Sequence, residues 1–156
     1  MDSVIVRAPA TTANLGPGFD SLGLALDLHN EIELALADET SVQIEGEGAD
    51  SLPRGASHLV LHSAGVLAQG TGVPVPGWRL RQRNAIPLAR GLGSSSAAIV
   101  AGLVAANGLL ELGLSREDLL ETAAKIEGHP DNVAPALYGG LTVCCLSERL
   151  CCLPLP

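Results

Sequence analysis

One run of eleven residues constrains this chain more than any other: Pro87-Leu88-Ala89-Arg90-Gly91-Leu92-Gly93-Ser94-Ser95-Ser96-Ala97. It leads into residues 95–110, which are apolar nearly all round and read as a buried helix. Glycines at 91 and 93 let the backbone take positive φ and approach a ligand closely. The start of the helix offers unpaired N–H groups and the positive end of a dipole, and together these favour anions. Three consecutive serines add hydroxyls that can bond phosphate or reach a magnesium ion. The run lacks the lysine of a Walker A loop and the second glycine of a nucleophile elbow. An isolated glycine-serine turn would read as a tight bend capped by Ser94 or Ser95. The length and composition of this one favour phosphate binding.

The rest of the composition narrows the function. With 156 residues there is room for one domain with its own core. Phe19, Trp78 and Tyr138 are the only aromatics, so that core must be built from Leu, Val, Ile and Ala. The same scarcity argues against a sheet that stacks single-stranded bases. A net charge of −8 opposes nucleic-acid binding by a basic face but permits a nucleotide held by backbone N–H groups. The first residues run from an acidic position directly into strand-like sequence, so no secretory signal is expected. The longest uncharged apolar run, residues 97–106, is too short to span a bilayer. The expectation is a cytoplasmic protein with no nucleic-acid or membrane partner. Cys144-Cys145 and Cys151-Cys152 lack metal-ligand spacing and read as a strand pair around Ser147-Glu148-Arg149, half of them buried.

Alternation and turn formers divide the chain. Strands are predicted at residues 4–7, 22–28, 31–37 and 41–45, with a loop rich in Gly, Pro and Asn over 10–21. A helix is predicted from a Ser57 cap to Gly70, then a strand at 78–82 and a loop over 84–94. After the buried helix, Ser115 caps another, with Glu117 and Asp118 in its first turn and its end at Gly128-His129-Pro130. A short helix at 132–137 and strands at 141–145 and 150–153 close the chain. Strands first and helices later imply an α+β domain over residues 1–156.

Two further constellations carry chemistry. In Ala8-Pro9-Ala10-Thr11-Thr12-Ala13-Asn14-Leu15-Gly16-Pro17-Gly18-Phe19-Asp20, Asn14 and Asp20 are either turn-stabilising residues or substrate holders. Asp20 could pair with an ammonium group. In Glu127-Gly128-His129-Pro130-Asp131-Asn132, four polar residues gather at a helix end. They are read either as helix termination with Asp131 capping the next turn, or as site residues.

The three stretches, taken in their order along the chain, resemble the GHMP kinases (galactokinase, homoserine kinase, mevalonate kinase, phosphomevalonate kinase). Arg90 in the fourth position of the loop is similar to the homoserine kinase variant. The resemblance implies the family's N-terminal domain, of ribosomal-protein-S5-domain-2-like fold, a mixed sheet with helices on one face. It implies that residues 87–97 wrap the phosphates of ATP, and that Ser95 and Glu127 hold Mg2+, with Glu121 as the alternative ligand. It further implies that Asn14, Asp20, His129 and Asn132 contact L-homoserine, and that Asp131 and Asn132 are catalytic. A homodimer is compatible with it. The family's C-terminal domain is not visible, and Leu153-Pro154-Leu155-Pro156 resembles an interdomain connection. Two alternatives remain: a mevalonate-type kinase of the same family, or a nucleotide-binding fragment that transfers nothing.

Overall fold

The structure, a computed structural model, describes residues 3–74, 77–146 and 150–155. Its organising element is β2 (Leu22–Ala37), sixteen residues long. One edge of β2 carries β1 (Val4–Ala13), antiparallel along almost the whole length. The other edge is shared: β4 (Gly77–Asn84) pairs with positions 31–37 and β5 (Leu141–Leu146) with positions 22–24. β3 (Ser41–Gly46) lies parallel to β4 and β6 (Leu150–Leu155) antiparallel to β5. The result is one mixed six-stranded sheet among the described residues, in an α+β fold. The parallel β3–β4 pair needs a crossover, which α1 (Leu59–Gly70) supplies.

The helices cover one face. α2 (Ser94–Leu109) packs centrally on β1 and β2, flanked by α1, α3 (Arg116–Glu127) and α4 (Val133–Tyr138). It is buried nearly all round because other helices surround it, which is why its sequence shows no polar face. Close approach to α1 depends on Gly102, where a side chain would run into the carbonyl oxygen of Val60. Alternation along β4 sends Trp78, Leu80, Gln82 and Asn84 inward and Arg79, Arg81 and Arg83 outward. On that outer face Arg81 pairs with Glu33 at 3.5 Å and Arg83 with Glu45 at 3.1 Å.

Several sequence expectations change. β1, expected over residues 4–7, runs on through Pro9 to Ala13, and the proline sits beside a bulge in which residues 26–28 of β2 stand against Ala10. The strands expected at 22–28 and 31–37 are one element, continuous through His29 and Asn30. The cap of α1 is His58, whose Nδ1 accepts the Val60 N–H at 3.3 Å, and Ser57 is exposed. α2 begins at Ser94 with Gly93 as its cap, so neither Ser94 nor Ser95 is the cap.

The cysteines do form a hairpin pair, Cys144 opposite Cys152 and Cys145 opposite Cys151. Cys144 is buried and Cys152 half-buried, while the other two are exposed. The hydrogen-bonded contact between the first two thiols pushes Cys144 well up and Cys152 down. Residues 147–149 lie outside the described residues. No described helix is long and apolar enough to cross a membrane.

Candidate active site

The site forms where β4 leaves β2. Past the Glu31–Arg83 pair the chain turns away, and Asn30, buried on β2, accepts the N–H groups of Ala85 and Ile86 through Oδ1 at 2.8 and 2.9 Å. Ile86 is fully buried and anchors the start of the loop. From there Ala89, Gly91 and Gly93 all take positive φ, at 54°, 69° and 65°. Gly91 faces open space, whereas a side chain on Gly93 would collide with the hydroxyl of Thr11. The loop is tied to β1 by the Thr11 N–H, which donates to the Leu92 carbonyl at 3.0 Å.

Ser94, Ser95 and Ser96 form the first turn of α2, whose N–H groups have no acceptor within the helix. Gly93 supplies no capping side chain, and no acidic residue of α2 itself stands in that turn. Glu127, the last residue of α3, reaches across to accept from Ser95 Oγ at 2.8 Å and Ser96 Oγ at 2.9 Å. Glu121 is instead exposed and pairs with Lys125 at 4.0 Å.

Beyond the Gly128 cap, His129 Nδ1 lies 2.6 Å from Asp131 Oδ1, with His129 half exposed and Asp131 fully buried. Asn132 begins α4, and its Oδ1 accepts the Thr11 hydroxyl at 2.8 Å. This loop is held close to β2, since a side chain on Gly23 would run into the Asp131 carbonyl oxygen.

A cavity of about 620 Å³ joins these parts. Residues 87–96, Glu127 and Asn132 line it. Ala97, the last residue of the loop motif, does not, because it is buried in the core and its N–H is spent on the Gly93 carbonyl. Nor do Asn14 and Asp20, which occupy an exposed loop at φ 57° and 56°. There Asn14 Oδ1 accepts the Asp20 N–H at 2.8 Å, a turn-stabilising bond that leaves the Asp20 carboxylate to solvent. His129 and Asp131 are not on the cavity wall either.

Sequence reasoning missed the cavity's other wall, made by Leu52, Pro53, His58, Leu59, Gln82 and Asn84. These residues come from a turn, a helix start and a strand, and no local motif marks them. The inward alternation of β4 was the available signal for Gln82 and Asn84. Burial lowers the His58 pKa, keeping the ring neutral, and with Nδ1 accepting from Val60 the proton must sit on Nε2. Gln82 Nε2 donates to Asn84 Oδ1 at 2.6 Å, and Asn84 Nδ2 to the Glu47 carbonyl at 2.9 Å.

Comparison with known proteins gives these features a context. The family described as GHMP kinases N terminal domain matches residues 58–140. A homoserine kinase from Symbiobacterium thermophilum is 51% identical over 150 residues, covering 92% of this chain and 46% of that protein. One from Cutibacterium acnes is 52% identical, covering 89% of this chain and 49% of its own length. The crystal structure of homoserine kinase from Cytophaga hutchinsonii superposes with a TM-score of 0.85 at 37% identity, over all of this chain and 52% of that one. A mevalonate kinase structure shares the fold at a TM-score of 0.73 and 16% identity. The chain spans about half the length of the curated relatives it matches.

Proposed function

The chain belongs to the GHMP kinase family, and from that premise we propose that it is the ATP-binding half of a homoserine kinase. The reaction is ATP + L-homoserine → ADP + O-phospho-L-homoserine, a step towards threonine carried out in the cytoplasm. The observation that carries this reading is the Glu127 carboxylate bonded to Ser95 and Ser96 at the start of α2. It brings a negative charge and two hydroxyls to the place where backbone N–H groups favour phosphate.

Roles follow from the chemistry of each group. Residues 88–96, after Pro87, hold the phosphates through backbone N–H groups, and Arg90 adds the loop's only positive charge. The wall of Leu52, Pro53 and Leu59 offers an apolar surface to the base, with polar groups from His58, Gln82 and Asn84 beside it. Ser95, Ser96 and Glu127 are all hard oxygen donors, a set that fits Mg2+. The ion, when bound, neutralises charge on the phosphate oxygens.

Asn132 presents its amide to the cavity. Asp131, fully buried and bonded to His129, does not reach the cavity, so its part in the transfer is to hold the segment that presents Asn132. Transfer through a loose transition state asks more of positioning than of a strong base. Asp20 pairs with the homoserine ammonium, and Asn14 and His129 complete the acceptor side.

A coupled ADP-release assay with MgATP and either homoserine or mevalonate tests this. Turnover with homoserine alone is expected. Turnover with mevalonate instead would overturn the substrate. A second reading, that the chain binds ATP but needs the rest of the kinase for transfer, is favoured by its span of about half of each relative. It is recognised by ATP binding without turnover on either substrate.

A further inference from the structure

We infer that Thr11 is a positioning residue that couples the phosphate loop to the acceptor side and fixes which face of the Asn132 amide meets the cavity. This rests on reading the cavity as a nucleotide site. Thr11 is fully buried on β1, in register with Ala25 of β2 directly after the bulge. From there it makes three separate contacts. Its N–H donates to the Leu92 carbonyl at 3.0 Å. Its hydroxyl occupies the space that any side chain on Gly93 would need. The same hydroxyl donates to Asn132 Oδ1 at 2.8 Å, joining segments 121 residues apart.

The last bond has a chemical consequence. An amide side chain can present either its oxygen or its NH2 to a ligand. With Oδ1 occupied by Thr11, Asn132 lines the cavity with its NH2 as the group left to meet a ligand. Two N–H donors suit a phosphate oxygen or the oxygen of an attacking alcohol, and disfavour an ammonium at that point. Without the hydroxyl, rotation of the amide by half a turn would bring an acceptor to the same place. Thr11 thereby selects for oxygen-rich ligands at Asn132 without touching them.

Thr11→Val keeps shape and the backbone bond to Leu92 but removes the hydroxyl, and Thr11→Ser restores it. In 15N spectra of the ligand-free chain, Thr11→Val is expected to shift the Asn132 side-chain NH2 resonances, and Thr11→Ser to return them. In titrations, Thr11→Val weakens MgATP about tenfold, the scale of one lost hydrogen bond. In an Asn132→Ala background the same substitution has no further effect. Thr11→Ala replaces Thr11→Val if the latter does not fold. Unmoved Asn132 resonances, or equal damage from Thr11→Ser and Thr11→Val, would overturn the inference. Failure of the unmodified chain to bind MgATP would overturn the nucleotide reading instead, and the spectra would still decide the bond.

Discussion

Glu127 and Ser95 lie on different helices, yet the Glu127 Oε1 accepts the Ser95 hydroxyl at 2.8 Å and joins the end of α3 to the start of α2. A carboxylate held at the positive end of a helix is electrostatically favoured, and the arrangement leaves its other oxygen available for a cation.

Glu127→Gln keeps an acceptor for both serines but removes the charge. The fold is expected to persist, with the melting temperature within a few degrees. Magnesium should then lose at least about tenfold of its effect on ATP affinity, whereas Glu121→Gln changes nothing. Calorimetric titration with and without magnesium checks this, and an unchanged magnesium effect in Glu127→Gln would remove Glu127 from the ligand set.

Gly91 and Gly93 look equivalent in sequence and are not. Both take positive φ, but only Gly93 abuts Thr11. Gly91→Ala should cost about 1–2 kcal/mol of strain. Gly93→Ala adds a steric collision in a buried corner and should cost about 3 kcal/mol or more. Urea unfolding of the two variants measures the difference, and equal costs would show that the loop yields at Gly93. A side chain at Gly93 points at Thr11, so its effect on ATP binding would come through a damaged loop.

Asp20 is tested with Asn rather than Ala, because asparagine tolerates the φ of 56° observed there. Asp20→Asn removes the charge and keeps the backbone bond to Asn14. The KM for homoserine should rise at least about tenfold, the scale set by losing a charge-assisted bond. ATP affinity should hold. Equal loss of both would mean that the Asn14–Asp20 turn serves the fold alone.

Much of this was legible because the chemistry is local. Glycines with forced φ, a helix start without a cap side chain and the Ser115–Asp118 capping box each declare themselves within a few residues. What stayed hidden depends on residues far apart in the chain. Pro9 reads as a strand end until the bulge beside it is known. Ser57 outranks His58 as a cap by type, yet His58 is the residue whose ring bonds Val60. The hydroxyl of Thr11 and the inward faces of Gln82 and Asn84 acquire meaning only when β1, β4 and α4 are brought together.

The capping box also carries a pH dependence. The Ser115 hydroxyl and N–H hold the exposed Asp118 carboxyl below its ordinary value of 3.8. A depressed carboxylate stabilises the folded chain above the unfolded value, and the contribution is lost as pH falls through the folded one. Stability of the parent chain should therefore decline below about pH 4 more steeply than that of Asp118→Asn. Thermal melts across pH 2–6 compare the slopes, and identical slopes would mean that the box contributes no titrating stability.

The central claim is that ATP lies between residues 87–96 and the wall of Leu52, Pro53, His58 and Leu59. Hydrogen–deuterium exchange of the chain with and without MgATP, resolved by peptide, tests it most directly. The account predicts slowed exchange in peptides spanning 52–60 and 88–98, with the outer strands β3 and β6 unchanged. Protection confined to other segments, or none at millimolar MgATP in a folded chain, would contradict it.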